Sequence, residues 1–309
     1  VWDAEEFTLT GSTEWGEQNA DRLAHIAVAC LNVDASASGN RLSVSASPAL
    51  RPFVYEAARS VDDPQGRGTV YDVWRAGAGE NVRGYGVLAG ARTDDPPIAI
   101  LGSGSDYTVF FNHIGVPSLD MVFDGPYGVY HSIYDTHEWM RRHGDPGFRY
   151  HAAMARLWGV MALRLANADV LPFDYGVYGR DLLSYLDDVE AVARRRGVPL
   201  DVSTARAAAG ELAAVTPAAV SGAAADGLRN AGLMAAERAL LSAEGIPNRP
   251  WFRHLVYAPR PTYQAETLPG VREAVMEGDA ARARAQLEVL TAALRRARAA
   301  AAGEEGVGR

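Results

Sequence analysis

The feature that most constrains this chain is a change of pattern near Tyr175. Before it, short apolar runs alternate with helical stretches. His25 to Asp34 is a continuous apolar run that ends on a carboxylate, and it predicts a buried strand. Leu42 to Ser47 alternates apolar and small polar residues, as an edge strand or an extended loop does. Ile98 to Leu101 is a short apolar run closed by Gly102-Ser103-Gly104, and Val116 to Phe123 is another. Between them, Ser105 to Phe111 opens like a capped helix, with Ser105 as N-cap and Asp106 in the first turn. Such alternation predicts an α/β sheet covered by helices on both faces, with ligands beyond the carboxyl ends of its strands.

Phe148 to Asn167 is a long helical pattern, broken at Leu171-Pro172-Phe173-Asp174. From Asp181 to Arg194 the residues Leu182, Tyr185, Leu186, Val189 and Val192 form a helical stripe that stops at Gly197-Val198-Pro199. Alanine-rich helical segments follow at Ser203 to Val215, Ala223 to Ala243 and Asp279 to Ala301. The expectation is a sheet-based part over residues 1–175 and an all-α helical domain over 176–309.

A chain of 309 residues with 48% hydrophobic content can bury two packed cores. Its net charge of -8 argues against a nucleic-acid partner, which calls for a basic face. Cys30 is the only cysteine, so neither an internal disulfide nor a cysteine-based zinc knot can form; in its apolar run it reads as a buried, inert thiol. No run approaches the ~20 apolar residues of a membrane span. The sequence opens on Val1, and the expectation is that any targeting segment lies upstream.

Four features could carry chemistry. They are Glu5-Glu6 after Trp2-Asp3-Ala4 (read as a strand end), Asp34 at the end of an apolar run, His131 after Tyr130, and the loop Gly102-Ser103-Gly104-Ser105. Adjacent glutamates suit metal-assisted hydrolysis: one can bind a metal while its neighbour takes a proton from water that the metal acidifies. Asp and His complete the donor types that zinc takes in catalytic sites. Each feature also has a plain reading. Glu-Glu pairs usually sit on solvated surfaces, an Asp after a strand usually makes a turn, and a lone His is usually structural. No His-Glu-x-x-His spacing occurs. Gly84-Tyr85-Gly86 suggests a dinucleotide loop but follows no convincing strand. In Gly102-Ser103-Gly104 a glycine stands where a nucleophile elbow needs serine.

In order along the chain, Trp2-Asp3-Ala4-Glu5-Glu6-Phe7, Gly11-Ser12-Thr13-Glu14-Trp15 and Asn32-Val33-Asp34 resemble the M28 metallopeptidases. Leu101-Gly102-Ser103-Gly104-Ser105-Asp106, Tyr130-His131-Ser132, the block from Arg249 to Pro259 and Leu268-Pro269-Gly270 narrow the resemblance to the glutamate carboxypeptidase and transferrin receptor branch. It covers nearly the whole chain.

The resemblance implies a partial zinc-exopeptidase sheet followed by a helical dimerisation domain, hence a peptide substrate, a homodimer and an extracytoplasmic location. It puts Glu5 on the general base, Glu6 and His131 on ligands to one zinc, Asp34 on a ligand to the other, and Tyr130 on a donor to the tetrahedral intermediate. Ser103, Gly104, Ser105 and Tyr263 fall on substrate-binding positions. The family's other ligands, a His and a bridging Asp, lie upstream of the Glu-Glu pair and have no counterpart here, so two zinc ions are expected only in a longer parent. Where glutamate-selective members carry an asparagine, two arginines and a lysine, this chain has Ser105, Asp120, Val122 and Thr262. Glutamate selectivity is therefore not expected. The alternative is a non-catalytic receptor or scaffold of the same fold.

Overall fold

In a computed structural model, residues 2–77, 94–216, 226–260 and 264–304 are described. The Gly84-Tyr85-Gly86 loop, Thr262 and Tyr263 lie outside them. Helices α1 (Thr10–Gln18) and α2 (Ala20–Ile26) precede strand β1 (Cys30–Asn32), β2 (Arg41–Ala46), α3 (Arg51–Arg59) and α4 (Val70–Ala76). A π-helix (Val109–Ile114) then leads into β3 (Ser118–Asp124). The short α5 (His137–Trp139) is followed by α6 (Arg149–Ala166), α7 (Tyr175–Arg196), α8 (Ser203–Ala213) and α9 (Asp226–Arg238). Last come β4 (Tyr257–Pro259), β5 (Ala265–Thr267), α10 (Pro269–Glu277) and α11 (Ala280–Ala301).

The sheet has the order β1-β3-β2. β1 runs parallel to β3 with Asn32 opposite Asp120, and β2 runs antiparallel with Ser45 opposite Asp120. Leu119, Met121 and Phe123 of β3 are buried in the core, whereas Asp120 and Val122 point to the other, half-buried face, as the two-residue period of a strand dictates. The run at Ile98–Leu101 is buried but pairs with β2 only at Ala99.

The expected strand from His25 to Asp34 is corrected: α2 continues through Ile26, which is 56% exposed, and only Cys30–Asn32 is extended. An apolar run of that length fits a helix end plus a short strand as well as one long strand. Trp2 to Ala4 form no strand either. Ser105 does not cap through its side chain; its carbonyl accepts from the Thr108 N–H and hydroxyl, at 3.1 and 2.8 Å.

The long helices follow their patterns. The Asp174 side chain accepts from the Gly176 N–H and starts α7, and Gly197 ends it in the left-handed region. α6 is started from outside: Asp145, buried, accepts from the backbone N–H groups of Arg149, Tyr150 and His151. α7 and α8 pack so closely that a Cβ at Gly179 would lie 2.1 Å from the Ala213 nitrogen. The helical half also holds the β4–β5 ribbon, too short to show alternation in the sequence.

One apolar core runs from the sheet through α3 and α6 into α7, α8, α10 and α11. A smaller cluster joins Trp2, Leu23, Val109, Phe110, Ile114 and Val116, and Cys30 touches both. The two halves also share buried polar contacts, among them Arg51 to Asp181 at 2.7 Å.

Candidate active site

The segment carrying Glu5 and Glu6 is a tight turn rather than a strand end. Ala4, Thr8 and Leu9 all have positive φ, of 58°, 64° and 59°. The Leu9 N–H donates to the Glu5 carbonyl at 2.8 Å and the Thr10 N–H to the Ala4 carbonyl at 3.2 Å. Such backbone costs energy and persists only where its surroundings enforce it. Two neighbours do so here. Trp2 packs against Trp15 and Phe110, at centroid distances of 5.1 and 5.9 Å. At Gly11 a Cβ would lie 2.1 Å from the Asp3 carbonyl oxygen, so only glycine lets α1 fold back onto this turn.

His131 meets that turn from a loop after β3. Its Nε2 lies 3.0 Å from Oε1 of Glu6, with both side chains more than half exposed. Its backbone is left-handed, at φ 54°, and its ring stacks on Tyr130 at 3.9 Å. Tyr127 sits 6.4 Å from Tyr130 and packs edge-on against Trp139 at 5.1 Å, which props the loop from behind.

Asp34 follows β1 at the carboxyl end of the sheet, where the parallel pairing of β1 and β3 predicts a ligand crevice. Burial raises its pKa, with Asp106 and Glu6 adding to the rise and His131 opposing it. Glu5 is likewise raised by burial, then by Asp34, Glu6 and Asp106, and eased by His131. Four carboxylates and one imidazole therefore share a single electrostatic neighbourhood. Crowded acids of this kind are what a divalent cation relieves.

Glu6 and His131 fit a zinc ion in type and in proximity, offering a carboxylate oxygen and an imidazole nitrogen at the same point. Among the described residues no group of three or more His, Cys, Asp and Glu is arranged to hold a metal. The described residues thus bring one donor pair together, Glu6 and His131.

In the 102–105 loop, Gly104 is exposed with φ 103° and Ser103 is half-buried. Ser105 is only 4% exposed, and its hydroxyl accepts from the Asn32 side-chain amide at 2.9 Å. The same amide donates to Oδ1 of Asp120 at 2.8 Å. Burial pushes the Asp120 carboxyl up to about 6, against the hydrogen bond from Asn32. Asp106, Asn32 and the role of Asp120 were not singled out by sequence reasoning. Asp106 read as an ordinary first-turn acid, Asn32 stood in a matching block without a role of its own, and Asp120 read only as a replaced arginine.

Residues 1–144 match the model of Peptidase family M28, and residues 211–301 match that of the Transferrin receptor-like dimerisation domain. The chain is 39% identical over 285 residues to "Probable glutamate carboxypeptidase LAMP1" of Arabidopsis thaliana, covering 89% of this chain and 39% of that protein. It is 37% identical over 303 residues to "Probable glutamate carboxypeptidase" of Arthroderma benhamiae, covering 91% and 39%. With "Aminopeptidase NAALADL1" of Mus musculus the identity is 29% over 304 residues, covering 88% and 38%. The chain thus spans under half the length of these curated relatives. It belongs to the M28 metallopeptidases, in the branch that joins a peptidase fold to a transferrin receptor-like dimerisation domain.

Proposed function

We propose that the whole protein is a two-zinc exopeptidase that hydrolyses a terminal bond of peptides. Residues 1–175 form the C-terminal part of its peptidase domain, and residues 176–309 form the helical domain through which it makes an isologous homodimer. The observation that supports this best is the 3.0 Å approach of His131 Nε2 to Glu6 Oε1, with Glu5 beside them.

Glu6 and His131 would hold one ion, and Asp34 would hold the other. When bound, zinc polarises the scissile carbonyl and lowers the pKa of water from 15.7 towards ~7. Glu5 binds neither ion; it takes a proton from the attacking water and returns it to the leaving amine. The Tyr130 hydroxyl donates to the oxygen that becomes negative in the tetrahedral intermediate. Ser103, Gly104, Ser105 and Tyr263 contact the substrate.

Selectivity for glutamate is not part of this reading, because Asp120 and Val122 replace two cations that would hold carboxylates. A neutral or basic C-terminal residue fits better, as does aminopeptidase action on a broader set of peptides.

The test is Glu5→Gln in the whole protein, assayed on peptides blocked at one end or the other. The expected result is a loss of roughly 10²- to 10⁴-fold in kcat with zinc content retained. Unchanged turnover would remove Glu5 from the mechanism. The end whose blocking abolishes hydrolysis identifies the amino- or carboxypeptidase mode.

A further inference from the structure

The turn that carries Glu5 and Glu6 rests on the smaller apolar cluster. Trp2 packs into that cluster, against Phe110 of the π-helix at 5.9 Å. α1 follows the turn directly, since the Thr13 N–H donates to the Leu9 carbonyl at 2.9 Å. It seats on the π-helix at Gly16, where a Cβ would lie 2.5 Å from a methyl carbon of Val109. Whatever fixes α1 and the π-helix therefore fixes the backbone of Glu5 and Glu6.

The helical half reaches both elements with one side chain. Among the described residues, Trp251 is the single member of this cluster from beyond residue 175. Its ring stacks on His113 of the π-helix at 4.9 Å, and its carbonyl accepts from His113 Nδ1 at 2.8 Å. A carbonyl only accepts, so this contact places the imidazole proton on Nδ1. The indole N–H reaches the far end of α1 and donates to Oε1 of Glu17. Trp251 thus bridges the two elements on which the turn is built, and it is half-buried there.

We propose that Trp251 is a positioning residue for the Glu5–Glu6 turn, so that the helical half supports the chemistry as well as assembly. This rests on the reading of Glu5 as proton acceptor and Glu6 as metal ligand. The left-handed backbone at Ala4, Thr8 and Leu9 persists only while its surroundings enforce it. A misplacement of about 1 Å at a reacting group can cost ~10²-fold in rate. Because Glu17 is exposed, its hydrogen bond adds little, and the stacked indole ring carries most of the hold.

The variants to compare in the whole protein are Trp251→Leu, which loses the ring, and Trp251→Phe, which keeps one. Leu290→Ala, in the main core and outside this cluster, is the control for a general loss of stability. Peptide hydrolysis is followed at saturating zinc. Hydrogen exchange is read at the Leu9 and Thr10 amides, which donate to the Glu5 and Ala4 carbonyls. Trp251→Leu is expected to lower kcat about 10–100-fold with KM and oligomeric state unchanged, and to speed exchange at both amides. Trp251→Phe is expected to stay close to wild type, and Leu290→Ala to lower the urea midpoint while keeping kcat. The proposal is overturned if Trp251→Leu folds and keeps both kcat and amide protection. It is overturned too if Leu290→Ala, matched in stability, speeds exchange at Leu9 and Thr10 as much as Trp251→Leu does. Trp251→Phe as slow as Trp251→Leu would remove the ring from the role. Wild-type protein that hydrolyses no peptide would overturn the exopeptidase reading itself, while the exchange experiment still reports whether Trp251 holds the turn.

Discussion

His254 Nε2 lies 3.1 Å from Oε1 of Glu237, and both side chains are fully buried. The His254 Nδ1 accepts from the backbone N–H groups of Val256 and Tyr257, each at 3.2 Å, so the ring proton resides on Nε2 and is donated to the carboxylate. The Tyr178 hydroxyl of α7 donates to the same oxygen. Asn112 of the π-helix extends this junction, since its carbonyl accepts from the Arg253 and His254 N–H groups and its amide donates to the Tyr257 carbonyl at 3.1 Å. Buried Asn112 therefore fastens the site-bearing half to the helical half, at a segment that the His254–Glu237 pair braces from within the helical half.

Replacing His254 by Phe removes the donor and strands a buried carboxylate. The expected cost is about 1–3 kcal/mol in urea unfolding, the range for taking a donor away from a buried acceptor. Glu237→Gln, which keeps a polar partner, should cost less. Equal and small losses in both would mean that the pair does not hold this junction.

Acid should loosen the segment between α3 and α4. Burial opposes ionisation of Asp63, yet Arg67 and the N–H groups of Gln65 and Arg67 outweigh it and hold the carboxyl below its usual range. Oδ1 also accepts from Tyr150 of α6 at 3.3 Å. A depressed folded-state pKa means that this stabilisation is present above the unfolded value, ~3.9, and lost as pH falls through the folded one. Asp63→Asn should therefore flatten the decline of urea midpoint between pH 5 and 3. An unchanged slope would count against the assignment.

Cys30 should resist alkylation while the chain is folded. Burial, reinforced by Asp120, pushes its thiol up to about 12. At pH 8 the thiolate fraction is then on the order of 10⁻⁴, and iodoacetamide labelling should be slow, rising about tenfold per pH unit. Labelling in urea should be fast. Rapid stoichiometric labelling of the native protein at pH 8 would contradict this environment.

What the sequence disclosed depended on length. α6, α7, α8 and α11 repeat their apolar faces over several turns, so their period was legible. β1 was overextended, because Ile26 to Val33 is apolar whichever way it folds, and Ala99 alone of the run Ile98–Leu101 pairs with β2. The β4–β5 ribbon escaped notice at three residues a strand. Within the site, Glu6 and His131 are brought together from opposite ends of the peptidase part, a contact no local spacing encodes; resemblance to the family, not periodicity, singled them out. Asn32 meets Asp120 and Ser105 from a distant segment, and only the folded ladder reveals that.

The central claim is that Glu6 and His131 belong to one metal site in the whole protein. The most direct measurement is zinc per chain in wild type, Glu6→Ala and His131→Ala after dialysis against metal-free buffer. The account predicts about two zincs in wild type and the same single ion lost in each variant, as a shared catalytic site requires. A folded wild type without zinc, or variants that keep both ions, would contradict it and turn attention to a receptor-like role.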